Sequence, residues 1–312
     1  MGMSGAYGPA DRAEAIATIH AALDAGIDLI DTGDFYGMGH NELLLGEALR
    51  GRKRDSYKLS VKFGAQRGPE HGILGFTATP AATKTALAYS LTRLGVDYVD
   101  VYRPARLDPQ VPIEETIGAI GELVEGGYVR CIGLSEVGAD TIRRAAATHP
   151  ICDVQLEYSL ISRGIEQAIV PACAELGISI TAYGVLSRGL ISGHFDPQRE
   201  LARGDFRAHA PRFSGENRGH NLRLVDALRE LAAARDVTVA QLAIAWVLQR
   251  GGDQIVPLIG ARTPERLREA LGALEVQLSE QDIAELEQAI PPDAARGTRY
   301  PAAGMATLDS ER

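Results

Sequence analysis

An acid, a phenol and an amine fall at the ends of two consecutive predicted strands. Asp31 and Tyr36 lie in Ile30-Asp31-Thr32-Gly33-Asp34-Phe35-Tyr36-Gly37, and Lys62 lies in Leu59-Ser60-Val61-Lys62-Phe63-Gly64. A tyrosine hydroxyl titrates near ~10. A lysine cation beside it is expected to favour the phenolate and lower that value, while a carboxylate holds the lysine charged and oriented. A phenol tuned in this way gives a proton to, or takes one from, a substrate oxygen. Asp31, Tyr36 and Lys62 are therefore the candidate catalytic residues.

Such groups must be held by a repeating frame, and the hydrophobic pattern supplies one. Short apolar runs at Ile27–Asp31, Ser56–Lys62, Tyr98–Tyr102, Tyr128–Leu134, Cys152–Glu157, Ile178–Tyr183 and Ile255–Ile259 read as strands. Between them lie stretches of helical period, such as Arg12–Ala25, Pro80–Leu94, Ile113–Glu125 and Asn221–Ala234. Thr79-Pro80 and Thr263-Pro264 place proline at a first helical position after a capping hydroxyl, and Ser279 with Asp282 has nearly capping-box spacing. Strict strand–helix alternation means parallel strands joined by helical crossovers. Eight such units close a TIM barrel whose site lies at the C-terminal strand ends, where Asp31, Lys62, Ser135, Gln155 and Tyr183 fall. An open doubly wound sheet fits the same alternation, but Gly33-x-x-x-Gly37 does not have the spacing of a dinucleotide-binding first turn.

The bulk properties set the class. The chain has 312 residues, 45% hydrophobic and 23% charged, with a net charge of −9. That charge, without a long basic run, argues against nucleic acid or an anionic membrane surface as partner. No apolar stretch approaches a bilayer span and no signal-like segment opens the chain, so a cytoplasmic protein is expected. Cys131, Cys152 and Cys173 match no metal spacing and are expected to be buried, reduced thiols. The segment from Gly193 to Gly219, with Arg203, Arg207, Arg212 and Arg218, reads as a long loop of the kind that forms lids.

The ordered motifs resemble the aldo-keto reductases. Asp31-Thr32-x-x-x-Tyr36-Gly37 followed by a strand ending in Lys62-Phe63-Gly64 is the pattern of that superfamily. Ser90-Leu91-x-Arg93-Leu94-x-x-Asp97-Tyr98-Val99-Asp100, Ile132-Gly133-Leu134-Ser135, Gln155-x-Glu157-Tyr158-Ser159-Leu160 and Gly260-Ala261-Arg262 extend it from Met1 to about Met305. The resemblance implies an α/β protein, a single (β/α)8 TIM-barrel domain over 1–312, with 291–312 as a C-terminal loop or tail over the mouth. Relatives begin with a strand that leads into a motif close to Met-Gly-Met-Ser. Here that motif is Met1-Gly2-Met3-Ser4, so the first strand is expected to be truncated or missing, leaving seven strands or a stub at Met1–Met3.

The resemblance also implies a cofactor, NADP(H). Gly260-Ala261-Arg262-Thr263-Pro264-Glu265-Arg266 opens a helix, whose free amides and paired guanidinium groups suit a phosphate. Arg262 and Arg266 would hold the adenosine 2′-phosphate and Glu269 would approach the adenine amine. Tyr183 would stack on the nicotinamide, while Ser135 and Gln155 hydrogen-bond its carboxamide. Gly184-Val185-Leu186 replaces the family's Ser-Pro-Leu, so Gly184 would contribute its backbone amide, with Leu186 beside it.

The family's catalytic histidine is replaced. Asp100-Val101-Tyr102-Arg103-Pro104-Ala105 puts Ala105 where relatives carry it, as in pyridoxal reductase-like members that read close to Ala-Arg-x-Asp-Pro. Arg103, by strand parity, and His40, four residues after Tyr36, are the conceivable replacements; the other histidines, His71 among them, read as surface residues. Arg103 and Ala105 are the substrate-pocket candidates. The expected activity is NADP(H)-dependent reduction of an aldehyde or ketone, with pyridoxal one specific candidate and no metal required. A low-turnover NADP(H)-binding sensor or partner subunit is the alternative, separated from the first by NADPH oxidation with an aldehyde panel.

Overall fold

Local chemistry sets where the helices start. Thr79, Thr238, Thr263 and Ser279 each accept a hydrogen bond from the backbone N–H three residues on. Each thereby satisfies one of the free amides of a helix N-terminus. At Ser279 the exchange is reciprocal, because Asp282 accepts from the Ser279 amide in turn. The computed structural model describes residues 1–70, 72–198, 200–201 and 204–312. His71 and Arg203 lie outside the described residues.

The strands are β1 (Leu29–Gly33), β2 (Lys58–Phe63), β3 (Ala65–Arg67), β4 (Ile73–Phe76), β5 (Val99–Pro104), β6 (Val129–Ser135), β7 (Ile151–Glu157), β8 (Ser179–Tyr183) and β9 (Ile255–Pro257). Seven of them form one parallel sheet in the order β1-β2-β5-β6-β7-β8-β9, and β3 pairs with β4 as a separate hairpin. The helices alternating with the sheet are α1 (Arg12–Asp24), α2 (His40–Ala48), α3 (Pro80–Leu94), α4 (Ile113–Glu125), α5 (Ala139–Thr148), α6 (Ile169–Glu175), α7 (Gly215–Ala233), α8 (Val239–Gly251), α9 (Pro264–Leu271) and α10 (Glu280–Ala289). A short helix, α11 (Ala302–Met305), follows in the C-terminal segment. Among the described residues no helix is long and apolar enough to cross a membrane.

All seven expected strands and ten expected helices are present, and four features differ from expectation. Of the two expectations for the N-terminus, the sheet has seven strands, and in place of a stub at Met1–Met3 there is a turn of 3-10 helix, Gly2–Ser4. It is fixed between the two ends of the sheet: the Ser4 hydroxyl bonds His40 and Asn41, and Gly2 abuts the Arg262 side chain. The β3–β4 hairpin has no period-2 pattern long enough to be seen, and its outward residues Ile73 and Leu74 are exposed. The expected long loop is partly ordered, with short turns at Phe206–His209 and Pro211–Phe213 and with α7 starting at Gly215 rather than Asn221. Finally, Cys131 and Cys152 are not free thiols: adjacent strands β6 and β7 bring their Cα atoms to 6.1 Å and the sulfurs are bonded. Cys173 is free and buried, and burial pushes its thiol up to about 11.

The outer layer of the core is apolar, with Leu59, Val61, Ile132, Leu134, Val154, Leu156 and Ile180 fully buried against the helices. The inner face is not. Ser60, Lys62, Arg103, Asp153, Gln155 and Thr181 are buried there, and the strand register brings them to neighbouring levels: Asp31 beside Ser60, Lys62 beside Arg103, Gln155 beside Thr181. The guanidinium of Arg103 lies 3.0 Å from Asp153 and donates to Ser60 at 2.9 Å. It fits only because position 133 is glycine. A Cβ on Gly133 would sit 3.1 Å from Arg103 Cζ, 2.9 Å from Val101 and 2.6 Å from an Asp153 carboxylate oxygen. Gly133→Ala is therefore expected to destabilise the protein by about 1–3 kcal/mol through overpacking. Urea unfolding measures this, and an unchanged midpoint would contradict it.

Candidate active site

Strands β1 and β2 deliver the first cluster. Lys62 Nζ forms an ion pair with Asp31 and donates at 2.9 Å to Gln155 Oε1. Gln155 Nε2 donates at 2.9 Å to the other Asp31 oxygen, which also accepts from Ser60 at 2.8 Å. The three side chains close a ring in which each polar atom that faces another is used. Burial alone would raise the Asp31 carboxyl, but Lys62 and Arg103 outweigh it and hold the group below its ordinary value. Burial lowers Lys62, against the pull of Asp31.

Tyr36 follows β1 on a tight turn, with its amide bonded to the Gly33 carbonyl. Lys62 Nζ lies 5.3 Å from its ring centroid. The expectation of a lowered phenol is overturned: burial, then the Asp31 charge, raise Tyr36 well above its ordinary value. The lysine is paired with Asp31, and the charge that opposes the rise is that of Arg106. Tyr36 is accordingly a protonated phenol, suited to giving a proton rather than to resting as phenolate.

A second cluster covers the mouth, and no motif in the chain pointed to it. Arg299, in the C-terminal segment, forms ion pairs with Glu136 at 2.8 Å, Glu157 at 3.3 Å and Glu311 at 2.6 Å. Glu136 adopts a left-handed backbone, φ 53°, and is held there by Arg299 and by the Ser310 hydroxyl at 2.6 Å. Its carboxyl is pushed down to about 2: burial opposes this, but the Arg299 hydrogen bonds and charge prevail. Glu157 also pairs with Arg188 and Arg212. Asp309 accepts from the Gly138 amide and the Thr141 hydroxyl, so the tail caps α5, which has no capping side chain of its own.

The remaining sequence-predicted residues lie along the same C-terminal strand edge. Ser135 and Gln155 are register partners, and both are buried. Tyr183 donates to Glu136 at 2.7 Å, and its hydroxyl is 2.9 Å from that of Tyr300. Gly184, at φ 69°, backs onto Glu157, and Leu186 packs against the core. Gly260 is exposed after β9. Arg266, at the start of α9, reaches Glu269 at 3.1 Å, which His194 also contacts at 2.7 Å. Arg262 turns instead to the carbonyls of Tyr7 and Pro9. Ala105 is buried. Arg103 is fully buried in the interior ion pair with Asp153, so it does not open onto the mouth. His40 bonds Ser4 at the surface and does not replace an imidazole. Arg106, next to Ala105, was not singled out from sequence, yet it donates to Tyr300 at 3.3 Å at the mouth.

A curled parallel α/β sheet with an acid–amine–phenol cluster at its C-terminal edge defines a TIM-barrel type of enzyme fold. The pattern of the Aldo/keto reductase family matches residues 1–291. The chain is 44% identical over 303 residues to "Probable aldo-keto reductase 1" of Glycine max, covering 96% of this chain and 86% of that protein. It is 39% identical over 306 residues to a Schizosaccharomyces pombe protein named aldo-keto reductase yakc, NADP(+), covering 96% and 89%. The glycerol dehydrogenase of Gluconobacter oxydans superposes with a TM-score of 0.82 at 27% identity, over 95% of this chain and 92% of that one. The chain belongs to the aldo/keto reductase family.

The tail cluster makes a direct prediction. Arg299→Met leaves Glu136 buried without its paired cation, while Glu157 keeps Arg188 and Arg212, and is expected to cost about 3–5 kcal/mol. In the parent, the Glu136 contribution is complete above its unfolded value of 4.5 and is lost as pH falls toward about 2. Urea unfolding between pH 7 and pH 3 should show the gap between parent and variant narrowing in acid; a gap constant with pH would contradict the assignment.

Proposed function

We propose that this protein is an NADP(H)-dependent oxidoreductase that reduces an aldehyde or ketone to an alcohol. The observation that carries the reading is the convergence of Tyr36 with the Lys62–Asp31 pair at one strand edge. The NADP(+) in the name of the Schizosaccharomyces pombe relative supports the cofactor. So does the donor set: among the described residues the side chain of Arg266, half exposed at the N-terminal end of α9, pairs with Glu269 of its own helix alone, which leaves its fork able to meet a 2′-phosphate. Arg262, Gly260 and Glu269 complete that end. Ser135, Gln155, Tyr183, Gly184 and Leu186 line the path toward Tyr36.

The chemistry supplied by bound NADPH is hydride donation to the carbonyl carbon. The chain's own residues handle the proton. Tyr36, protonated at neutral pH, gives its phenolic hydrogen to the carbonyl oxygen. Lys62 then faces the phenolate that is left, and Asp31 with Gln155 keeps the ammonium in place. Ala105 offers no second donor, so Tyr36 carries this role without an imidazole. Small aldehydes are the favoured substrates, with pyridoxal a specific candidate. The reading extends to a single barrel domain over 1–312 in the cytoplasm. Its architecture is an eight-unit barrel in which, among the described residues, the position between β9 and β1 holds no paired strand.

Tyr36→Phe keeps the ring and removes the proton donor. It is expected to lower kcat for aldehyde reduction by about 10²–10⁴-fold while NADPH still quenches protein fluorescence. Turnover at the parent rate would remove Tyr36 from the role. No NADPH oxidation by the parent with any aldehyde, alongside intact binding, would favour the binding-only reading. Arg266→Ala should weaken NADPH binding by about 10-fold or more and NADH binding far less, because only the former carries the 2′-phosphate. Equal losses for the two cofactors would refute the assignment of that guanidinium.

A further inference from the structure

The buried arginines of this protein have carboxylate partners. Arg103 faces Asp153, Arg163 faces Glu166 and Glu287, Arg212 faces Glu157, and Arg299 faces Glu136, Glu157 and Glu311. Arg106, which is half-buried, differs from them. Among the described residues it has no carboxylate within ion-pair distance. Its Nη1 donates to the preceding carbonyl, Ala105, at 2.6 Å, and its Nη2 donates to the Tyr300 hydroxyl at 3.3 Å. Its Nε is buried and has no hydrogen-bond partner. A half-buried guanidinium with a buried, unpartnered N–H and only neutral oxygens on its other nitrogens gains from an anionic partner.

The charge balance of the mouth shows what is lacking. Arg106, Arg188, Arg212 and Arg299 meet there with the carboxylates Glu136, Glu157 and Glu311. Four cations face three anions, and all three anions are already engaged by arginines other than Arg106. Arg106 also sits close enough to Tyr36 for its charge to act on the phenol. Ala105, the small residue just before it, follows the end of β5, and its amide bonds the Phe63 carbonyl next to Lys62, which places Arg106 on the same strand edge as the Lys62–Asp31 pair.

We propose that Arg106 is an anion receptor of the substrate pocket, and that the preferred substrate carries a carboxylate or phosphate near the carbonyl that Tyr36 protonates. A planar guanidinium with an unused N–H is matched in geometry and charge to such an oxyanion. The assignment rests on Tyr36 being the proton donor of a carbonyl reductase. It narrows the small aldehydes of that reading to those that carry an anionic group, and so disfavours pyridoxal itself, which has no carboxylate or phosphate.

The test compares substrates that differ by one charged group. 4-Carboxybenzaldehyde is set against benzaldehyde, and glyceraldehyde 3-phosphate against glyceraldehyde, with NADPH and the full chain. The parent should have the higher kcat/KM for the anionic member of at least one pair, and the pair that responds tells carboxylate from phosphate. Arg106→Met should cut that anionic-to-neutral ratio by roughly 10- to 100-fold, mainly through KM, and Arg106→Lys should restore part of it. A ratio unchanged in Arg106→Met, or a parent that does not prefer either anionic member, overturns the proposal. If the parent reduces no aldehyde, the reductase reading fails and the anion site is judged alone, by calorimetric titration of benzoate and of inorganic phosphate. Binding to the parent that is lost in Arg106→Met upholds the site; equal binding, or none, rejects it.

Discussion

A buried ion pair, Lys62 with Asp31, is the interaction on which the rest of the structure depends. Taking two such charges out of water costs several kcal/mol each unless their geometry and remaining hydrogen bonds are satisfied. Here they are: Gln155 bridges the two, Ser60 supports Asp31, and Arg103 with Asp153 extends the network beneath. The contributors come from β1, β2, β5 and β7. Only a sheet curled back on itself brings those strands' inner faces together. The apolar outer layer, by contrast, needs nothing more than residues of suitable volume and period.

That network has chemical consequences because it spends the lysine's charge on the aspartate. Tyr36 is left in a buried setting where its protonated form is favoured. Desolvation favours the phenol there more strongly than the nearby Arg106 charge opposes it. The same logic runs in reverse at the mouth. There Arg299 keeps Glu136 ionised down to about pH 2 and fastens the C-terminal segment over the strand ends. One cluster stores a proton and the other stores charge, and both are built from pairs that lie far apart in sequence.

Arg106 shows how such accounting locates a ligand group. Every neighbour it touches is neutral, while the surrounding carboxylates are taken by other arginines. The adjacent Ala105 is small and buried.

Much was legible in the sequence, and for physical reasons. Strand and helix periodicity depends on local alternation, so all seven sheet strands and the capped starts at Thr79, Thr263 and Ser279 could be read directly. The tight turn that carries Tyr36 and the strand end that carries Lys62 are local too. Resemblance gave the family, and through it the expected cofactor residues. Three-dimensional proximity was not legible. Nothing in the chain says that Arg299 meets Glu136, 163 residues away, or that Asp309 caps α5. Cys131 and Cys152 looked like free thiols because spacing does not reveal that their strands are neighbours. The direction of the Tyr36 shift also had to await the structure, since charge proximity can be guessed from sequence but desolvation depends on what finally surrounds the group. Local pattern fixed the elements; only packing decided which charges were left without a partner.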